Sequence, residues 1–379
     1  MPVRRPRLAA RKSGALKAGV RLGSIPILRN VNWLGQDGVK SSGSSGYVSV
    51  NEVDVPREHP ELHHYTTWNG FKGIIESNSL WSVRYDCMND PGEFIHARKF
   101  MTAELRQRLT TYLRDRGERD FNFAMRTAQL GKLHEIVNHE VESWLDTAYK
   151  AFSTTDADDS VPFYIPHVTS FCSHAKDMPY ERENGLLSQW RGYGREGAFA
   201  IVFDTARLEA LIKKEYEQFA YIHVQFFDVH YDRDPDVIRN TYGSSIDKML
   251  RIYTDFILDG KSADLDFVTE FETLIARLKH QAFHEEREVR LVTYPMYAEF
   301  REHQIKKKGK KADLYKGLKT IVRDGPKPHI ALFEGLDDPL PITRVIVGPA
   351  ANQNEEIEAA KRLSQGRWDV VASATPYRT

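Results

Sequence analysis

The chain has 379 residues, with 53 Lys or Arg balanced by 53 Asp or Glu, and is 41% hydrophobic and 11% aromatic, enough to bury a core in one large domain or two ordinary ones. A zero net charge provides no general attraction to nucleic acid or an anionic membrane. Two cysteines, Cys87 and Cys172, exclude a disulfide framework and fit a reducing cytoplasm, and no apolar run reaches the roughly 18 residues of a membrane-spanning helix.

Residues 1–50 hold nine Lys or Arg against the single acid Asp37. They lack the apolar segment of a secretory signal. An organellar presequence is one reading of such a start, but its Gly and Ser breaks favour a flexible basic arm able to attract an anionic polymer. Ser41-Ser42-Gly43-Ser44-Ser45-Gly46 is linker by composition. Residues 1–55 are therefore expected to be arm and linker, and 56–379 a single α+β domain.

Within that domain the pattern predicts a strand over His63–Thr66, a helix carrying Phe71, Ile74 and Ile75, and a strand over Leu80–Val83. Two long amphipathic helices, Pro91 to about Arg116 and Phe121–Phe152, form a helical insertion over about 91–152. Strand Val168–Cys172, helix Leu186–Tyr193, strand Ala198–Phe203, helix Ala206–Phe219 and strand Ala220–Tyr231 follow. Helices Val237–Leu258 and Leu265–Glu285 then lead into strand Val289–Tyr294. The C-terminal part reads as strands His329–Phe333 and Ile342–Val347, helix Asn354–Leu363 and strand Trp368–Ser373. This order is α+β around a mixed β-sheet core.

Chemistry concentrates in a few places. Glu286, Glu288 and Arg290 alternate, which in a strand places them on one face; two carboxylates so close raise each other's pKa unless a cation such as Arg290 compensates. A solvated strand face is the plain alternative. Asn89-Asp90-Pro91-Gly92-Glu93 reads as a capping box opening a helix, with Asn89 and Tyr85 left over. His64-Tyr65-Thr66 ends a strand, where a histidine is ordinarily a satisfied polar group but can also donate to ribose oxygens. Trp190 and Tyr193 lie in one turn, as core aromatics or as a ligand platform beside glycines. His280 and His284 have metal-sharing spacing without a zincin's glutamate between them. Lys306 to Lys311 is a basic loop that is either solvated or touches nucleic acid.

The ordered set His64-Tyr65-Thr66, Asn89-Asp90-Pro91-x-Glu93, Gln189-Trp190-x-x-Tyr193, Glu286-x-Glu288-x-Arg290, and a C-terminal Val347-Gly348-Pro349 with Pro376-Tyr377-Arg378 resembles a widespread bacterial family of domains of unknown function. That family is in turn similar to the ADP-ribosyltransferase superfamily. The resemblance implies an ADP-ribosyltransferase-like sheet and NAD as substrate. It also implies a protein or nucleic-acid acceptor, as for a toxin or phage-defence effector. Glu288 would stabilise the ribose cation, Glu286 would orient or deprotonate the acceptor, His64 would hold the ribose or diphosphate, and Tyr193 would stack on nicotinamide. Tyr65, Thr66, Asn89, Trp190 and Arg290 would complete the NAD site. A non-catalytic ligand-sensing or interaction domain and a nucleic-acid-acting enzyme are the competing readings.

Overall fold

The computed structural model describes residues 54–88, 92–153, 166–174, 178–193, 198–219, 221–231, 235–259, 274–295, 316, 319–322 and 326–376. The basic arm, the Asn89-Asp90-Pro91 segment, the Lys306–Lys311 loop and Tyr377-Arg378 lie outside them.

The chain opens with a short helix α1 (Val55–Glu58), strand β1 (Glu61–Thr67), helix α2 (Trp68–Ser77) and strand β2 (Leu80–Arg84). Thr67 starts α2 because its hydroxyl accepts from Gly70 N, and Asn78 ends it in the left-handed conformation that asparagine tolerates. Three helices follow, α3 (Gly92–Arg119), α4 (Phe121–Leu130) and α5 (Leu133–Ser153). The single helix expected over Phe121–Phe152 is thus two, broken at Gly131, whose φ of 142° no helix accommodates. Strand β3 (His167–Cys172), helices α6 (Pro179–Asn184) and α7 (Leu187–Tyr193), strand β4 (Ala198–Asp204) and helix α8 (Thr205–Gln218) come next.

The expected strand Ala220–Tyr231 divides into β5 (Tyr221–Asp228) and β6 (His230–Tyr231), with the Val229 amide between them donating to Glu288 O. Helix α9 (Pro235–Asp259) follows. The helix expected over Leu265–Glu285 does not run through to Glu285. Residues 274–277 are helical, but β7 (Leu278–Lys279) pairs in parallel with β6, and Gln281–Glu286 forms a 3-10 turn before β8 (Glu288–Pro295). Pairing with β6 takes the backbone groups a continuing helix would need. Strands β9 (Lys319–Val322), β10 (Pro326–Leu332) and β11 (Ile342–Val347), helix α10 (Gln353–Ser364) and strand β12 (Asp369–Ala372) complete the fold.

Among the described residues ten strands form one mixed, open sheet in the order β12-β11-β4-β1-β3-β2-β10-β9, with β8 on β3 and β5 on β8. Among its described strands only β11 and β12 pair in parallel. Strand β4 is fully apolar from Ala198 to Phe203 because neighbours flank it on both edges and both its faces are covered. On one face Leu62, Phe171, Phe199, Ile201, Phe203, Val289 and Leu291 pack under α2, α8 and α10. On the other, Val168, Val292 and Tyr294 join Leu105, Leu109, Trp144 and Met249 of the long helices, while Cys172, Ala200 and Val202 lie under α7.

The sheet divides at β3. Strand β8 pairs along one whole edge of β3, from His167↔Thr293 to Cys172↔Glu288. The other edge is shared, with β1 meeting it at Cys172 and β2 at Val168 and His167. The junction of β1, β3 and β8 therefore brings His63, Cys172 and Glu288 into one row across three strands, and opposed residues in such a row point to the same face.

Candidate functional site

The 3-10 turn Gln281–Glu286 ends at Arg287, which adopts φ 43°, φ > 0 being uncommon outside glycine. That reversal keeps Glu286 beside Glu288 although the two are not alternating residues of one strand. Lys279, arriving on β7, binds both, its Nζ lying 2.8 Å from Glu286 Oε2 and 2.8 Å from Glu288 Oε2. Arg290, fully buried one alternation along β8, grips Glu288 through Nε at 2.7 Å and Nη2 at 2.9 Å and donates through Nη1 to Ala276 O at 2.9 Å. The Glu288 amide donates to the Tyr231 hydroxyl at 2.8 Å.

Two carboxylates and two cations so arranged neutralise one another. Burial works to raise the Glu288 pKa, but Arg290 and Lys279 outweigh it and hold it at about 2. Glu286 is the outer member. Its side chain keeps 15% exposure against 2% for Glu288, and Gln189 Nε2 donates to its Oε1 at 3.1 Å. The phenol of Tyr193 is pushed up to about 12 by burial and then by Cys172, Glu286 and Glu288, so it stays protonated beside the cluster. The same burial and the same two acids raise the Cys172 thiol, which makes it a poor nucleophile.

The first strand divides its residues between the faces. Tyr65 shares the face of Cys172 and Glu288; its hydroxyl accepts from Leu186 N at 2.8 Å and is hydrogen-bonded to His174 Nε2, also at 2.8 Å. His63 stands on this face too, its ring 4.5 Å from that of His174. His64, in contrast, lies against Phe171 on the opposite face, ring centroids 5.8 Å apart, and its Nδ1 donates to Ser170 O at 3.0 Å where β1 and β3 part. Thr66 shares that orientation, tucked under Gly70 of α2. Glu288, Glu286, Arg290 and Tyr193 are thus brought together, while His64 and Thr66 are not. Asn89 lies outside the described residues.

Trp190 is a wall of the site, with its indole donating to Asn184 O at 2.9 Å and meeting the Tyr65 ring edge-on at 4.9 Å. Gly185 must be glycine for that wall to close, since with φ 76° an added Cβ would sit 2.1 Å from the Trp190 ring. On the far face His59 joins Ser173 and Asp228 at 2.7 Å each. Ser173 is buried, so this Ser-His-Asp chain ties the start of the domain to the ends of β3 and β5 rather than presenting a nucleophile. His280 Nδ1 accepts from Ala282 N and His284 Nδ1 donates to Gln281 O, and among the described residues no group of three His, Cys, Asp or Glu could hold a metal. No helix among them is long and apolar enough to cross a membrane.

Lys279, Gln189, His63 and His174 were not singled out as site residues from the sequence. Gln189 stands in a motif already noted; Lys279 carries no local signal, because β6 is what brings it in.

The buried histidines set the fold's acid limit. Burial, then Arg287, lowers His174 from 6.5 to about 4, and burial with His174 lowers His63 in the same direction. As pH falls through 6.5 the unfolded chain takes up a proton that folded His174 refuses until about 4, so stability drains across that interval. Glu288 adds to the loss between 4.5 and about 2, where the unfolded carboxyl is protonated and the folded one is not. Urea midpoints measured at steps from pH 8 to 4 are expected to fall below pH 6.5, with a shallower fall in His174→Gln. Equal slopes in the two proteins would contradict this assignment.

No curated protein and no solved structure matches the chain. Residues 189–291, which hold Gln189, Tyr193, Lys279, Glu286, Glu288 and Arg290, match the family described as "Protein of unknown function (DUF2971)".

Proposed function

We propose that the chain is an NAD-consuming enzyme of the ADP-ribosyltransferase-like class, a glycohydrolase or a transferase acting on a protein or nucleic acid, as a toxin or antiviral effector would. The observation that carries this reading is the pair of carboxylates, Glu286 and Glu288, clamped by one ammonium at 2.8 Å each beside a protonated phenol. Buried charge is costly, and folding alone is served as well by apolar residues, so a cluster of this kind marks a candidate site. The parting of β1 from β3 next to it is compatible with an ADP-ribosyltransferase-like sheet.

Cleavage of the nicotinamide–ribose bond builds positive charge at ribose C1′ as nicotinamide leaves with the bonding electrons. Water or an acceptor hydroxyl or amine then forms the new bond to C1′ and gives up its proton. Glu286, the outer carboxylate, faces the developing cation and takes that proton. Glu288, saturated by Arg290 and Lys279, is a positioning residue that fixes Lys279 and through it Glu286. Tyr193 offers its ring to nicotinamide. NAD is substrate here rather than a resident cofactor, and His64, first expected to hold the ribose, lies on the opposite face against Phe171. Purified protein given NAD labelled in nicotinamide is expected to release it. No release with water, protein or nucleic-acid acceptors sinks the reading.

A non-catalytic ligand-binding domain is favoured by one specific observation, the turning of His64 toward Phe171. It predicts thermal stabilisation by NAD without turnover.

A further inference from the structure

Helix α7 carries Gln189, Trp190 and Tyr193 to the carboxylate cluster, and the C-terminal part of the chain anchors it there. Asn184 ends α6, where a helix leaves its last carbonyls without internal partners. Its carbonyl accepts instead from the Trp190 indole at 2.9 Å and the Ser373 hydroxyl at 2.6 Å. Its side-chain oxygen accepts from Ala374 N at 2.8 Å. One residue thus joins a wall of the site to the segment that follows β12.

Ser373 is held on every side. Its amide donates to Val347 O at 2.9 Å, continuing the β11–β12 ladder by one residue. Its carbonyl accepts from Gln353 Nε2 at 3.0 Å, and its hydroxyl, besides donating to Asn184, accepts from Thr375 N at 3.2 Å. Gln353 Nε2 also lies 3.1 Å from both Val347 O and Gly348 O, which ties α10 to the end of β11. Gly348 lies directly against the site's wall. A Cβ added there would sit 2.9 Å from Trp190 Cε3 and 2.9 Å from Ala198 O, too close for either to stay in place. Trp190 is therefore fixed at its nitrogen by Asn184 and along its ring by Gly348.

A helix of seven residues has little stability of its own, so outside contacts set its orientation. The Leu186 amide, bound to the Tyr65 hydroxyl, fixes where α7 begins. Trp190 fixes how it is rolled about its axis. Gln189 and Tyr193, four residues apart, share one helix face beside that indole, and both move if it turns. At 3.1 Å the bond from Gln189 to Glu286 is near the long end of its range, so a small roll breaks it. We propose that Ser373 is a positioning residue of the carboxylate site, acting through Asn184 and Trp190 to hold Gln189 on Glu286 and the Tyr193 ring at the cluster. Its effect on turnover rests on the NAD-consuming reading, whereas the strap itself does not.

The test uses Ser373→Ala and Asn184→Ala in the full chain. Each removes hydrogen bonds but no buried charge, so both should fold. Hydrogen exchange read by mass spectrometry needs no NAD: peptides over residues 179–193 are expected to exchange about fivefold faster in either variant, with those of β8 unchanged. Nicotinamide release reads the positioning. In Ser373→Ala kcat should fall about tenfold and KM for NAD rise about threefold, whereas loss of folded protein alone would leave KM unchanged. Gln189→Leu should lower kcat in the wild-type background and add little in Ser373→Ala, because the first change has already broken the same bond. Faster exchange with a wild type that releases no nicotinamide supports the strap and sinks the NAD reading. Unchanged exchange over residues 179–193 overturns the strap. So do unchanged KM and kcat in Ser373→Ala when the wild type is active, or additive losses with Gln189→Leu.

Discussion

Replacing Arg290 by methionine is expected to destabilise the protein by about 3–5 kcal/mol, the range for stripping one partner from a buried ion pair. Arg290 is fully buried and directs three of its nitrogens at fixed acceptors, two of them on Glu288 and the third on Ala276 O. Methionine fills much of the volume but leaves Glu288 with Lys279 alone and the Ala276 carbonyl without this donor. The loss should come from the stranded charge rather than from a cavity. Arg290→Met combined with Glu288→Gln should therefore recover part of it, and a double-mutant cycle on urea midpoints would report the coupling directly. A single-variant loss below about 1 kcal/mol, or strictly additive effects, would show that the pair does not hold β8 in place.

How much of this was legible in the sequence depended on whether the deciding contact was local. The apolar run Ala198–Phe203 read as a strand, while its cover on both faces is a tertiary fact, and the Thr67 and Asp204 caps sit where short polar side chains precede apolar periodicity. Gly131 was visible too, yet the amphipathic pattern on either side of it read through as one helix. The segment before Glu288 misled for a different reason: Leu278 and Lys279 suit a helix until β6 competes for their backbone. His63 and His64 show the sharpest limit. Strand alternation states that they face opposite ways, but only the register His63↔Cys172↔Glu288 says which one shares a face with the acids, and register is a long-range property. Glu286, Glu288 and Arg290 were identifiable from their types and spacing, whereas the ammonium that joins the two acids was not.

Exchanging each acid for its amide should separate the two glutamates, and the kinetic contrast is expected to be large. Glu286→Gln should lower nicotinamide release by roughly 10²–10⁴-fold, the usual worth of a positioned general base, while shifting stability by only about 1 kcal/mol, because the side chain is the outer, less buried member of the cluster and the amide oxygen keeps one of the two bonds that Lys279 and Gln189 make to separate carboxylate oxygens. Glu288→Gln should do the reverse in stability. It leaves Arg290 buried without its carboxylate, so the urea midpoint falls, and activity falls with it because Lys279 is no longer pinned between two acids. The pH dependence distinguishes the roles further. A base at position 286 gives a rate that declines on the acid side with the ionisation of one carboxyl, and Glu286→Gln should abolish that limb in whatever activity remains. A catalytic role for Glu288 instead predicts the opposite pattern, with Glu286→Gln near wild type and Glu288→Gln inactive though folded. That result would move the chemistry inward to a carboxylate with 2% exposure, which substrate could reach only if Arg290 or Lys279 let go.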